Sequence, residues 1–487
     1  MTERGTSTGR RLAELAAQRP DEIALTVVAL DRSEEHLSWR ELDLRSNQVG
    51  RVLGERGVRP GDRVALEVQN SVGLVLAVLG TWKLGGVPVP MRWDLPDWER
   101  SRLLEVVDPV TVVGGDLVAA LLSEAAAASA EGLPEVVSPQ LNGICSSGST
   151  GLPKVILSER PALWTAAASE PFVGSWRQVP RPQTILVPAP MYHTNGFASL
   201  GFLVGGDRLV VLAAFDAELV LDTIERHRVS HFTATPTMLQ RIAQVPGVEL
   251  RDLSSVRWVL QGAAVMPPTL LRTWFDLLSP ERIVMAYGMT EQLGLTALDG
   301  VEWLDHEGSV GRGFRETEIR ILDAEHRDLP VGEIGDVYLR SPMTGAYTYL
   351  GGAALLPTTG DGFGTAGDLG WLDQDGYLYI VDRRVDMIVT GGANVYPAEV
   401  ESALSDHPAI ADVVVLGLAD PQWGRRVHAV VQLRADGAPT TPADVIAYAK
   451  SRLASYKVPK TVEFAEEIPR SAATKVSRSQ MVASRGG

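Results

Sequence analysis

Apolar positions recur with helical spacing near the start of the chain. Leu12, Leu15 and Ala16 share one face of residues 11–19, and Leu42, Val49 and Leu53 share one face of residues 39–56. Between these predicted helices, residues 23–30 are aliphatic and β-prone and read as a strand. Gly61-Asp62 opens a second strand over 63–68, and the nearly unbroken apolar run 72–84 reads as a buried helix. Gly73, Gly80 and Lys83 interrupt that run, and it is too short to span a bilayer. Short apolar strands follow at 111–114, 184–187, 208–212, 231–234 and 256–260. The alanine-rich stretch 119–132 reads as a helix with no assigned function. Strands that alternate with helices imply sheets covered by helices, an α/β arrangement.

The pattern changes after about Gly294. Residues 309–372 carry many glycines and β-prone runs, at 318–322 and 336–340, and predict a β-rich subdomain. The strand 376–381 leads into the charged run Asp382-Arg383-Arg384-Val385-Asp386. A compact pattern closes the chain, with helices at 397–404 and 442–453 and strands at 412–418 and 427–433. Pro397 and Pro442 stand where proline starts a helix well. The expected fold is α/β. A large N-terminal domain, residues 1–384, combines layered sheets and helices with the β-rich subdomain; a small mobile α+β domain, residues 385–487, follows.

Composition narrows the partners. The 487 residues are 45% hydrophobic and 22% charged, the profile of an ordinary globular protein too long for one core. A net charge of -15 argues against nucleic acid and against docking on anionic membrane. Cys145 is the only cysteine, which excludes an intramolecular disulfide and a cysteine-rich metal site. The N-terminal residues are polar, with no apolar segment of the signal-peptide kind. A cytoplasmic monomer or homodimer is expected, without integral membrane association.

The densest chemistry lies in Ser146-Ser147-Gly148-Ser149-Thr150-Gly151-Leu152-Pro153-Lys154. Glycines let a backbone approach an anion, hydroxyls donate hydrogen bonds and lysine adds charge, so the segment suits phosphate. It is not a Walker loop, because the spacing between its glycines is shorter and a proline precedes the lysine. Further along come Tyr287-Gly288-Met289-Thr290-Glu291, Ala366-Gly367-Asp368, Asp382-Arg383 and a terminal Pro469-Arg470-Ser471 followed by Lys475.

Taken in order, these motifs resemble the adenylate-forming superfamily of acyl-CoA synthetases, peptide-synthetase adenylation domains and firefly-type luciferases. The resemblance runs over nearly the whole chain. It implies a reaction in which a carboxylate attacks the α-phosphorus of ATP, pyrophosphate leaves, and CoA then displaces AMP. It further implies that the loop from Ser146, Ser147, Gly148, Ser149, Thr150 and Gly151 to Lys154 holds the β- and γ-phosphates. Glu291 holds Mg2+, Thr290 reaches the α-phosphate, Tyr287 lies against adenine and Gly288 lets the acid approach the backbone. Gly262, Ala263 and Ala264 line the adenine and acyl pockets, and His193 sits beside the carboxylate or gates the acyl pocket. Asp368 accepts hydrogen bonds from the ribose hydroxyls and Arg383 donates to them. Gly391 and Gly392 approach the acyl phosphate once the small domain has rotated, and Lys475 bridges carboxylate and α-phosphate.

Three departures stand out. Thr474 replaces the usual glycine before the lysine, Val385 replaces the usual hinge Asp or Lys, and Phe363-Gly364-Thr365-Ala366 precedes Gly367-Asp368 in place of Trp-x-His-Thr. They keep other readings open: an adenylating enzyme serving an amine or a carrier protein in trans, activation of a non-carboxylate anion such as nitrite, or a non-catalytic nucleotide-binding relic. No aspartate closely follows His193 in Phe197-Ala198-Ser199-Leu200, which weakens an amino acid as substrate.

Overall fold

The computed structural model describes residues 5–146, 154–383, 386–390, 393–435, 437–470 and 476–486. They form two compact units: one of Met1–Ala263, Trp274–Gln292 and Met343–Leu355, the other of Ala264–Thr273, Leu293–Pro342 and Leu356–Gly487.

Seven strands of the first unit make one sheet in the order Ile283–Gly288, Trp258–Gln261, His231–Ala234, Thr184–Val187, Arg208–Leu212, Ile23–Val28 and Glu34–Ser38. Neighbours run parallel, except that Glu34–Ser38 pairs antiparallel with Ile23–Val28. Parallel strands point all their carboxyl ends to one edge, where loops from distant parts of the chain converge. Four of the predicted strands take their predicted bounds, at Thr111–Gly114, Thr184–Val187, Arg208–Leu212 and His231–Ala234. In two of them, Ile185-Leu186-Val187 and Leu209-Val210-Val211-Leu212 form runs of buried aliphatics behind one polar residue, which leaves little freedom in where the strand starts.

The predicted helices form at Thr8–Gln18, Trp39–Glu55 and Val72–Lys83. Ser7, Ser38 and Ser71 cap them, each accepting from a backbone N–H one turn on. Leu42, Val49 and Leu53 are fully buried, and burying a side chain of that size stabilises by about 1.5–3 kcal/mol. Every residue of Val72–Lys83 is buried, so that apolar run is a core helix. At Gly80 an added Cβ would lie 2.9 Å from the backbone nitrogen of Gly50, which shows how closely the two helices cross. Among the described residues, no helix is long and apolar enough to cross a membrane.

The alanine-rich helix spans Asp116–Ala127, shorter than its composition predicts. The carbonyls of Ala128, Ser129, Ala130 and Glu131 accept hydrogen bonds from Gln48, Arg51 and Asn47 on the neighbouring helix. Those contacts draw the chain out of helix despite its propensity.

The second unit contains an antiparallel sheet in the order Glu318–Leu322, Gly335–Arg340, Asp368–Leu372 and Leu378–Arg383. A further sheet is built on the long antiparallel pair Ile410–Asp420 and Gly424–Leu433, with Ile388–Thr390, Ala393–Val395 and Thr461–Phe464 beside it. Helices Pro397–Ser405 and Pro442–Lys450 contribute Val400, Leu404, Val445 and Ala449 to its core.

Candidate functional site

Three candidate segments leave the carboxyl edge of the seven-stranded sheet. The strand Thr184–Val187 leads toward His193, Trp258–Gln261 leads into Gly262 and Ala263, and Ile283–Gly288 ends in the Tyr287-Gly288 pair and continues to Thr290 and Glu291. Residues separated by about a hundred positions therefore meet because parallel strands align their ends. Thr194 Oγ1 lies 3.0 Å from Thr290 Oγ1, which joins the His193 segment to the Thr290-Glu291 segment.

The His193 segment is held from below. Asn70 is buried, and its Nδ2 donates to the carbonyls of Ala189 and Leu212, each at 3.0 Å. Its Oδ1 accepts from Met191 N at 2.8 Å. One side chain thus ties two strand ends to the backbone two residues before His193. At Gly196 a Cβ would collide with the Pro190 carbonyl, so the turn after His193 closes only around glycine. Tyr192 packs 4.4 Å from the His193 ring, and burial pushes its phenol up to about 12, so it stays neutral. Changing Asn70 to leucine strands one N–H and two carbonyls; we expect a loss of about 1–3 kcal/mol per group left unpaired. Urea denaturation checks this, the variant unfolding at a lower urea concentration than wild type.

The predicted phosphate loop spans a hairpin. Gly143–Ser146 and Lys154–Ser158 pair antiparallel, with Ser146 opposite Lys154. Ser147, Gly148, Ser149, Thr150 and Gly151 lie outside the described residues; Ser146 and Lys154, the described residues on either side of that stretch, share one rung of the ladder. Cys145, half-buried against a core cluster, has its thiol pushed up to about 12 by burial, which disfavours the nucleophilic thiolate.

Tyr347–Leu350 adds to the other side of Lys154–Ser158, with Tyr349 opposite Ile156. This register makes Tyr349 and Lys154 diagonal neighbours on one face. The Lys154 ammonium lies 5.0 Å from the centre of the Tyr349 ring. The Tyr349 hydroxyl donates to Glu291 Oε1 at 2.8 Å. Burial, reinforced by the Glu291 carboxylate, raises the Tyr349 phenol well above its ordinary range and keeps it a donor. A continuous row of groups results: Thr194, Thr290, Glu291, Tyr349 and Lys154.

This donor set fits magnesium. Mg2+ takes oxygen ligands, keeps waters and is held by one or two carboxylates together with substrate phosphates. Among the described residues no hydrogen bond reaches Oε2 of Glu291, and the Thr290 hydroxyl lies next in the chain.

Ala263 adopts φ 74 and Gln292 φ 56, both in the left-handed region. Without a glycine, each costs roughly 1–2 kcal/mol, and both flank candidate residues. An added Cβ at Gly262 would meet only the Ala286 carbonyl, at 3.6 Å, so packing alone does not demand glycine there.

In the second unit, Asp368 and Arg383 stand directly opposite each other on paired strands. The strand Leu378–Arg383 extends two residues beyond its predicted end and carries Arg383 into that pairing. Asp368 is buried. The neighbouring Asp382 serves structure instead, since its Oδ2 accepts from Ala398 N at 3.0 Å at the start of helix Pro397–Ser405. Gly391 and Gly392 lie outside the described residues, between paired Thr390 and Ala393. Lys475 and Val385 also lie outside them. Ala264 follows Ala263 in the chain and begins the second unit.

Asn70, Thr194 and Tyr349 are the residues that sequence reasoning missed. Gln69-Asn70-Ser71 reads as a polar turn and Tyr347-Thr348-Tyr349 as a strand; neither pattern carries a trace of its distant partners.

Residues 12–350 match the family model described as AMP-binding enzyme, and residues 399–475 match its C-terminal domain. A feruloyl-CoA synthase of an Amycolatopsis species is 32% identical over 464 residues, which cover 91% of this chain and 93% of the relative. The o-succinylbenzoate CoA synthetase MenE of Bacillus subtilis, solved with its acyl-adenylate intermediate, aligns with TM-score 0.83 at 28% identity, covering 99% of this chain and 98% of that one. The same synthetase solved with ATP and a magnesium ion aligns with TM-score 0.80 at 27% identity over 96% of this chain and 98% of that one. Motifs, fold and family models agree across nearly the whole length, and the chain belongs to the AMP-binding enzyme family.

Proposed function

We propose that the protein is an AMP-forming acid–CoA ligase. A carboxylate oxygen attacks the α-phosphorus of ATP, the bond to the β-phosphate oxygen breaks, and pyrophosphate leaves. The CoA sulfur then attacks the acyl carbon, the acyl–phosphate bond breaks, and AMP leaves. The observation that carries this reading is the row from Thr194 through Thr290, Glu291 and Tyr349 to Lys154, which sets hydroxyl, carboxylate and ammonium groups beside one another at the carboxyl edge of the sheet. The relatives support it, since the feruloyl-CoA synthase and MenE are both named for CoA thioester formation.

In this reading the hairpin loop Ser146–Lys154 grips the β- and γ-phosphates. Thr290 donates to the α-phosphate, and Glu291 holds Mg2+, which neutralises charge on the triphosphate when bound. Asp368 and Arg383 hold the ribose. His193 borders the carboxylate, and Lys475 neutralises charge that develops between carboxylate and α-phosphorus. The hinge falls at 384/385, with Asp386 beside it, and Gly391-Gly392 serves the thioester half-reaction.

The test measures pyrophosphate and AMP release from MgATP over fatty, aryl and sterol-type acids, with and without CoA, with products identified by mass. Thioester and AMP that accumulate only with CoA support the ligase and name its acid class. Adenylate formed but never passed to CoA refutes it.

A further inference from the structure

We propose that Tyr349 is a positioning residue for the magnesium-bearing nucleoside triphosphate, fixing the Glu291 carboxylate through its hydroxyl and the Lys154 ammonium through its ring. This deepens the adenylation reading and rests on it. A glutamate side chain has three rotatable bonds, and a carboxylate that must meet a cation at a set place gains by having them fixed beforehand. Tyr349 does that from a rigid base. It lies on a strand paired along Lys154–Ser158, the residue is 5% exposed, and Tyr347 packs edge-on against its ring at 5.4 Å. Its hydroxyl engages Oε1 of Glu291 at 2.8 Å, and Oε2 is the oxygen that would ligate the metal. Its ring face lies 5.0 Å from the Lys154 ammonium at the end of the phosphate-loop hairpin, so one side chain sets the spacing between a cation and a metal-binding carboxylate. The same two groups must approach one triphosphate together.

The experiment measures ATP binding to the full chain by calorimetry, in EDTA and in Mg2+, for wild type, Tyr349→Phe, Tyr349→Leu, Glu291→Gln and the double variant Tyr349→Phe/Glu291→Gln. Tyr349→Phe keeps the ring and removes only the hydroxyl. It should bind ATP in EDTA as wild type does, yet lose about tenfold of the tightening that Mg2+ confers, the worth of one hydrogen bond to a charged group. The double variant should match Glu291→Gln alone, because Tyr349 acts through that carboxylate. Tyr349→Leu, which also removes the ring from Lys154, should weaken binding in EDTA as well. In pyrophosphate exchange, Tyr349→Phe should raise the Mg2+ concentration for half-maximal rate and leave KM for the acid unchanged. An unaltered Mg2+ dependence in Tyr349→Phe, with Glu291→Gln impaired, overturns the role of Tyr349 alone. Full Mg2+ tightening in Glu291→Gln overturns it together with the assignment of Glu291.

Discussion

Replacing Lys475 with alanine is expected to slow acyl-adenylate formation by about a hundredfold to a thousandfold, while thioester formation from supplied acyl-AMP stays largely intact. Attack on the α-phosphorus brings two anions together, and a positive charge aimed at the developing transition state acts only there. Once the adenylate exists, the thiol attacks the acyl carbon and has no further need of that charge. Arg478, on the helix Arg478–Ala483, donates from Nη2 to both Glu401 oxygens at 2.7 and 2.8 Å and from Nη1 to Asp386 at 3.3 Å. That helix is thereby tied to helix Pro397–Ser405 and to Asp386. Separate assays of pyrophosphate exchange and of CoA transfer from synthetic acyl-AMP read the two steps. Equal loss in both would assign Lys475 to the fold or to general binding and overturn its proposed role.

The second large effect is expected at Asp368. Removing its carboxylate with alanine should weaken ATP and AMP alike by about ten- to a hundredfold, the range for one to two hydrogen bonds to a charged acceptor. The loss should appear mainly in KM for ATP, because the ribose is bound equally before and during reaction. Comparison with 2′-deoxy-ATP sharpens the test. Wild type should discriminate against the deoxynucleotide and Asp368→Ala should not. Preserved discrimination in the variant would remove Asp368 from the ribose site. The pairing of Asp368 opposite Arg383 explains why a separation of fifteen residues brings them together: the antiparallel turn between their strands returns the chain to the same rung.

Much of this architecture was legible in local pattern. The strands at 184–187 and 208–212 were readable because parallel strands covered on both faces carry runs of aliphatics, here Ile185-Leu186-Val187 and Leu209-Val210-Val211-Leu212. Helix starts at Pro397 and Pro442 were readable because proline suits the first turn. The end of the alanine-rich helix was not, since Asn47, Gln48 and Arg51 decide it from another element.

The candidate chemistry divides the same way. Lys154, Glu291, Asp368 and the other motif residues could be named because their order along the chain resembles the adenylate-forming superfamily, and their residue types suit the phosphate, metal and ribose roles that the resemblance implies. Which side chains hold those groups in place could not. Asn70 reaches Met191 across 121 positions, and Tyr349 reaches Glu291 across 58. Sequence alone determined that this chain folds as layered α/β structure, which follows from short-range pattern, and that its ordered motifs resemble those of the adenylate-forming superfamily. Tertiary structure alone decided the row from Thr194 to Lys154, because strand order and register set distances between residues that no local spacing relates.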